Sequence, residues 1–226
     1  MRRSRAERIP PGMLATTAIT LALVGAGPTV DNPWFPLPVG RHWTYREANV
    51  RTVVTVTRQT KLMADGVVAR VVHDESRERG VPVEITDDYY AQDARGTVWY
   101  MGEATTAYEK GKPASTEGSW EAGVDGARPG VTMPAHPRVG MAYRQEYLKG
   151  HAEDRATIVS LNQRVKVPLR RFRHTLMTLE STPLEPDVLE AKFYARGVGV
   201  VLAVGLSGEA DREVLTAMGG GRTTRG

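Results

Sequence analysis

Residues 51–73 read RTVVTVTRQTKLMADGVVARVVH, and this stretch decides the fold. Its first eight residues are rich in Val and Thr, which are stiff at χ1 and pack well on a pleated surface. Val67 to His73 alternates around Arg70. Between the two runs stands Asp65-Gly66, a dipeptide suited to the positive φ angles of a tight hairpin turn. The local reading is two strands joined by a turn.

The same grammar continues outward. In VPVEITDDYY (81–90), Val81, Val83 and Ile85 share one face, and Glu84, Thr86 and Asp88 share the other. TVWYMGE (97–103) follows the turn residues 93–96. Tyr143, Gln145 and Tyr147 fall on one face, and residues 156–167 alternate throughout. FRHTLMTL (172–179), VLEAKFY (188–194) and the apolar VGVVLAV (198–204) complete the series. Arg79-Gly80, Arg95-Gly96, Lys149-Gly150 and Ser207-Gly208 punctuate it with glycine-assisted turns. Turns this frequent, with no intervening helical periodicity, predict an all-β protein. The expected form is a single antiparallel curved sheet or half-barrel meander. Residues 210–218 (ADREVLTAM) can be read as a helix or as a last strand. Residues 111–137, dense in Gly and Pro, predict a long loop with short extended pieces, covering one end of the sheet.

The 226 residues contain no cysteine, which excludes disulfides, thiolate metal sites, cysteine nucleophiles and lipid attachment through an N-terminal cysteine. Arg2, Arg3, Arg5 and Arg8 precede an uncharged run, Met13 to Val24, and Val24-Gly25-Ala26 then offers small residues to a signal peptidase. This is the layout of an export signal, with a signal helix too short to span a bilayer comfortably. The expected organisation is a signal peptide over 1–26, one β-rich domain over 27–218 and a flexible tail over 219–226. The net charge of +4 comes from 30 Lys+Arg and 26 Asp+Glu. Residues 1–26 hold four of those Arg and one Glu, so the remainder carries 26 basic and 25 acidic side chains. The domain is nearly neutral, and a nucleic-acid partner loses its main support.

Two motifs bracket the domain: NPWFPLPVGRHWTY at 32–45 and FYARGVGVV at 193–201. Together they resemble exported bacterial β-rich proteins of uncharacterised function, the TapB-like and DUF3108-like groups. The resemblance implies a curved antiparallel sheet and brings no catalytic residues with it. Read physically, Pro36 and Pro38 fix an extended lead-in, and Trp43 and Tyr45 lie on one face of the first strand as core anchors.

His151, Glu153 and Asp154 form the candidate metal or acid–base cluster. On a strand His151 and Glu153 share a face and Asp154 lies opposite. Trp99, Tyr100, Trp120, Tyr143 and Tyr147 are the candidate ligand contacts, with core packing as the competing role. Asp87, Asp88, Asp93 and Asp125 are a second acidic set without calcium-loop spacing. There is no HExxH, P-loop, nucleophile elbow or post-strand GxGxxG, so no cofactor is expected. The leading expectation is a noncatalytic binding module, secreted or in the cell envelope and not lipid-anchored. Its partner is an apolar or amphipathic ligand, or a cell-envelope partner, with membrane contact only during export. The alternatives are a metal-assisted hydrolase using the His/Glu/Asp cluster and a purely structural surface domain.

Overall fold

The computed structural model describes residues 27–207 and 211–221. The expected export signal (1–26) and the end of the expected tail (222–226) lie outside the described residues. Within them the chain forms β1 (His42–Glu47), β2 (Val50–Leu62), β3 (Val68–Glu78), β4 (Val81–Gln92), β5 (Val98–Glu109), β6 (Lys112–Ser115), β7 (Trp120–Glu121), β8 (Arg128–Met133), β9 (Ala142–Arg144), β10 (Glu146–Tyr147), β11 (Arg155–Lys166), β12 (Arg171–Thr182), β13 (Glu185–Ala195), β14 (Gly199–Gly205) and β15 (Arg212–Gly219). No helix occurs among the described residues, and the ambiguous segment at 210–218 supplies the last strand.

The strands form one antiparallel sheet in the order β10-β8-β5-β4-β3-β2-β1-β15-β14-β13-β12-β11-β9, with β6 and β7 added to β5. First and last strands pair in its middle, Trp43 opposite Met218. The two edges, β9 and β10, are separated in sequence by Gln145 alone. One residue therefore carries the chain from one edge to the other, and the sheet curls into a nearly closed barrel. At this seam the Gln145 amide donates to the Asp154 carbonyl at 2.8 Å. Gly130 on β8 faces the Gln145 backbone so closely that a Cβ would overlap it.

Residues 27–38 close one end of the barrel. Val30, Trp34 and Leu37 are buried there. The Asn32 side-chain amide donates to the carbonyls of Gly96 (2.8 Å) and Pro134 (3.2 Å). The Gly197 amide donates to the Pro33 carbonyl at 2.7 Å. The far wall is packed by Ile158, Leu176 and Leu215, all fully buried. Each such side chain stabilises the fold by about 2 kcal/mol in the absence of any disulfide.

The Gly/Pro-rich segment covers the sheet from outside. Met63, Val71, Tyr89 and Met101 form a second core with Trp120, Ala122 and Ala127. Val71 and Tyr89 alternate with Val72 and Tyr90, which face the interior. Gly102 has φ +131, and a Cβ there would collide with the Trp120 carbonyl, so only glycine lets the cover approach β5. At the other end of the chain Gly219 belongs to β15. Gly220 and Gly221 pack against Pro38, Gly40 and Arg41, whose Nη2 donates to the Gly221 carbonyl at 2.6 Å.

Candidate functional site

The barrel interior holds a cavity of about 410 Å³ that opens to solvent. Its wall begins with the two bracketing motifs, which the fold brings together. The Trp43 indole donates to the Val198 carbonyl at 2.8 Å, and the Tyr45 hydroxyl donates to the Val200 carbonyl at 3.0 Å. Strand alternation from Trp43 to Tyr45 aims both rings inward, where both line the cavity. Phe35 and Leu37 of the end plug form its floor. Phe35, Tyr90, Tyr100 and Trp120 make an aromatic series with successive centroids 5.1, 5.1 and 5.4 Å apart.

Moving away from the plug, the lining changes from apolar to acidic. On β3 Val72 gives way to Asp74, and on β4 Tyr90 gives way to Asp88. Val72, Asp88 and Glu103 lie side by side across β3, β4 and β5. The Tyr100 hydroxyl joins Asp88 Oδ1 (2.6 Å) and Glu103 Oε2 (3.0 Å). Trp120 Nε1 donates to Glu146 Oε2 at 3.1 Å. Glu146, Asp154 and Glu213 complete the acidic wall. None of these six carboxylates has an ion-pair partner among the described residues.

Burial and mutual repulsion set their protonation. Burial, with Asp88 and Glu213 nearby, raises Asp74 from 3.8 to about 8. Burial raises Asp88 to about 6 against the opposing Tyr100 hydrogen bond. Burial and Asp88 raise Glu103 to about 7, and burial and Glu47 raise Glu213 to about 7. Glu146 is raised by burial and by Asp154 beside it.

One cation lines this cavity, and it is already matched. Lys192 Nζ lies 2.9 Å from Glu180 and 3.1 Å from Glu190. Burial opposes the Lys192 charge, yet Glu180 and Glu190 raise its pKa well above the usual value. Glu180 is buried too, but Lys192 and the Thr178 hydroxyl (2.7 Å) outweigh that and hold its pKa below the usual value. Tyr194 also donates to Glu180, at 3.2 Å.

The residues singled out from sequence divide between this cavity and the outside. Tyr100 is in the wall, Trp120 is buried directly behind it, and Asp154 lines the cavity beside Glu146. Tyr143 packs against the main core, its hydroxyl buried without a partner near Glu180 and Lys192. Trp99 belongs to the second core and donates to Asp93 at 3.3 Å. Tyr147 lies under the Arg144 guanidinium, 4.5 Å from the ring centroid. His151 is exposed on the turn before β11, and Glu153 accepts from the Gly150 amide at 2.9 Å. His151 and Glu153 are thus not brought to the cavity with Asp154. Among the described residues no group of three or more His, Asp or Glu is arranged to hold a metal ion. The second acidic set separates as well: Asp87 faces away from the cavity with His73 at 2.7 Å, Asp88 faces in, and Asp93 ties the 93–97 turn.

No family model matches the sequence, and no curated protein matches it. The TapB-like and DUF3108-like resemblance therefore has no matching family behind it. Among solved structures, the chain is similar to a Bacteroides fragilis protein described as exported with a YmcC-like fold. That match has 14% identity and a TM-score of 0.47, covering 82% of this chain and 98% of that one. It is also similar to a Parabacteroides distasonis protein described as a lipoprotein, with 11% identity and a TM-score of 0.41, covering 85% of this chain and 99% of that one.

Proposed function

We propose that this chain is an exported, noncatalytic binding module that holds a small amphipathic ligand inside its barrel. The observation that carries the reading is the cavity of about 410 Å³, apolar and aromatic at the plugged end and polar beyond it. Its size falls within the roughly 300–1,000 Å³ typical of small-molecule sites. The lining contains no histidine, serine or cysteine, so no Ser–His or Cys–His pair stands there. Export rests on the basic, apolar and small-residue layout of residues 1–26, with Gly27 as the mature start.

The test is native mass spectrometry of the protein recovered outside the cytoplasm. The expected mass begins at Gly27 and carries a small organic molecule that denaturation releases. A protein retained in the cytoplasm with residues 1–26 intact overturns the export half. A protein that arrives empty, and stays empty when offered amphiphiles, overturns the binding half.

A further inference from the structure

The reading of the barrel interior as a binding site leaves the chemistry of its occupant open, and the wall narrows it. Six carboxylates, Asp74, Asp88, Glu103, Glu146, Asp154 and Glu213, face one open-mouthed cavity with no ion-pair partner among the described residues. Lys192 is paired with Glu180 and Glu190, and of the six only Glu213, level with it two strands away, feels its charge. The half-buried Tyr90 ring lies between Phe35 and Tyr100 and faces the same space. A structural core has no use for this arrangement. Half-buried unpaired acids repel one another and lose part of their hydration, and replacing such groups with apolar residues is generally neutral or stabilising. Such a wall becomes favourable when a bound group brings the missing positive charge and hydrogen-bond donors.

The form of that group follows from the rest of the lining. An anion finds no free cation in the lining, since Lys192 is already paired with Glu180 and Glu190. A bare metal ion is disfavoured, since no three described His, Asp or Glu side chains converge on one point. The carboxylates are instead spread around the barrel from β15 through β5 to the seam, with Phe35 and Leu37 on the plug side of them and Val72 level with Asp88. An ammonium group on an apolar stem satisfies both ends at once.

We propose that the cavity takes a small amphipathic organic cation, its ammonium group among Asp74, Asp88 and Glu103 and its apolar part against Phe35, Leu37 and Val72. The inference rests on the binding-module reading and adds to it the sign of the ligand's charge.

Calorimetric titration with three probes of equal chain length separates the two. n-Octylamine, 1-octanol and octanoate are compared near neutral pH, where the amine is a cation. The expected result is that octylamine binds at least about tenfold tighter than octanol, and that octanoate binds weakest. Asp88→Asn and Glu103→Gln should each weaken octylamine about tenfold while leaving octanol unchanged, which shows that the variant barrels remain intact. Equal binding of amine and alcohol, or a preference for octanoate, overturns the cation inference and leaves the binding module standing. Binding of none of the three overturns both. Loss of octanol and octylamine together in both carboxylate variants also counts against the inference, because it assigns those residues a structural role.

Discussion

Replacing Asp88 with Asn should stabilise the protein, and only at neutral and alkaline pH. Burial lifts the Asp88 pKa from 3.8 to about 6, despite the 2.6 Å hydrogen bond from Tyr100. The folded state therefore holds this proton more tightly than the unfolded chain does. Its contribution is fully present below about pH 4 and is lost as pH rises through about 6. Above that window the wild-type fold carries a penalty of up to about 3 kcal/mol for the ionised carboxylate. Asn mimics the protonated acid, still accepts from Tyr100, and never pays it. Asp74 and Glu103, whose pKa values Asp88 helps to raise, are relieved in addition. At about 2–4 °C per kcal/mol for a chain of this size, Asp88→Asn should raise Tm by roughly 6–12 °C at about pH 8. Near pH 4 it should change Tm by less than about 2 °C. The assay is thermal unfolding by circular dichroism across that range, without ligand. A shift of the same size at both ends, or a loss at pH 8, would refute the claim that burial holds the Asp88 proton in the folded state.

Three further outcomes follow from the packing. Gly130→Ala pushes a methyl group into the Gln145 backbone at the seam. It should cost about 3 kcal/mol in urea unfolding, and an unchanged midpoint would mean the seam opens freely. Lys192→Met strands Glu180 without its cation. The expected loss is about 3 kcal/mol at neutral pH, largely recovered when Glu180→Gln is added, and a double-mutant cycle without coupling refutes the pairing. Trp43→Phe removes the buried 2.8 Å donor to the Val198 carbonyl. It should lower stability by about 1–3 kcal/mol, read from the same urea curves, and a neutral result would show that carbonyl to be solvated.

Much of the fold was legible because period-two alternation and turn chemistry are local. The turns at 63–67, 79–80 and 93–97 form where their Gly residues stand, with φ of 88°, 88° and 93° at Gly66, Gly80 and Gly96. What alternation cannot say is which face is inside. In 81–90 Thr86 and Asp88 point into the barrel, whereas Val81 lies 46% exposed. On a sequence, a strand face bearing Glu84, Thr86 and Asp88 reads as solvated, so the acidic wall stayed hidden until closure made that face interior. Trp120 illustrates the other gap. Its placement depends on Gly102, and on Glu146 26 positions away, neither of which is a local signal. Asp154 stands beside Glu153 and close to His151 in sequence, yet its cavity neighbour is Glu146 across the seam. The motifs at 32–45 and 193–201 were the best available pointer, because a site walled by both ends of a chain leaves marks at both ends.

The pairing of β1 with β15 also orders events in time. Thr216 Oγ1 donates to the Thr44 carbonyl across 172 positions of sequence. Trp43 and Leu215 are buried in the core that this pairing completes. A growing chain therefore leaves that core open until β15 is free of the ribosome, and so distant a contact is slow to form. For the export proposed above, delayed closure is an advantage. The chain stays threadable through most of its length, and the barrel locks only once its last strand has arrived.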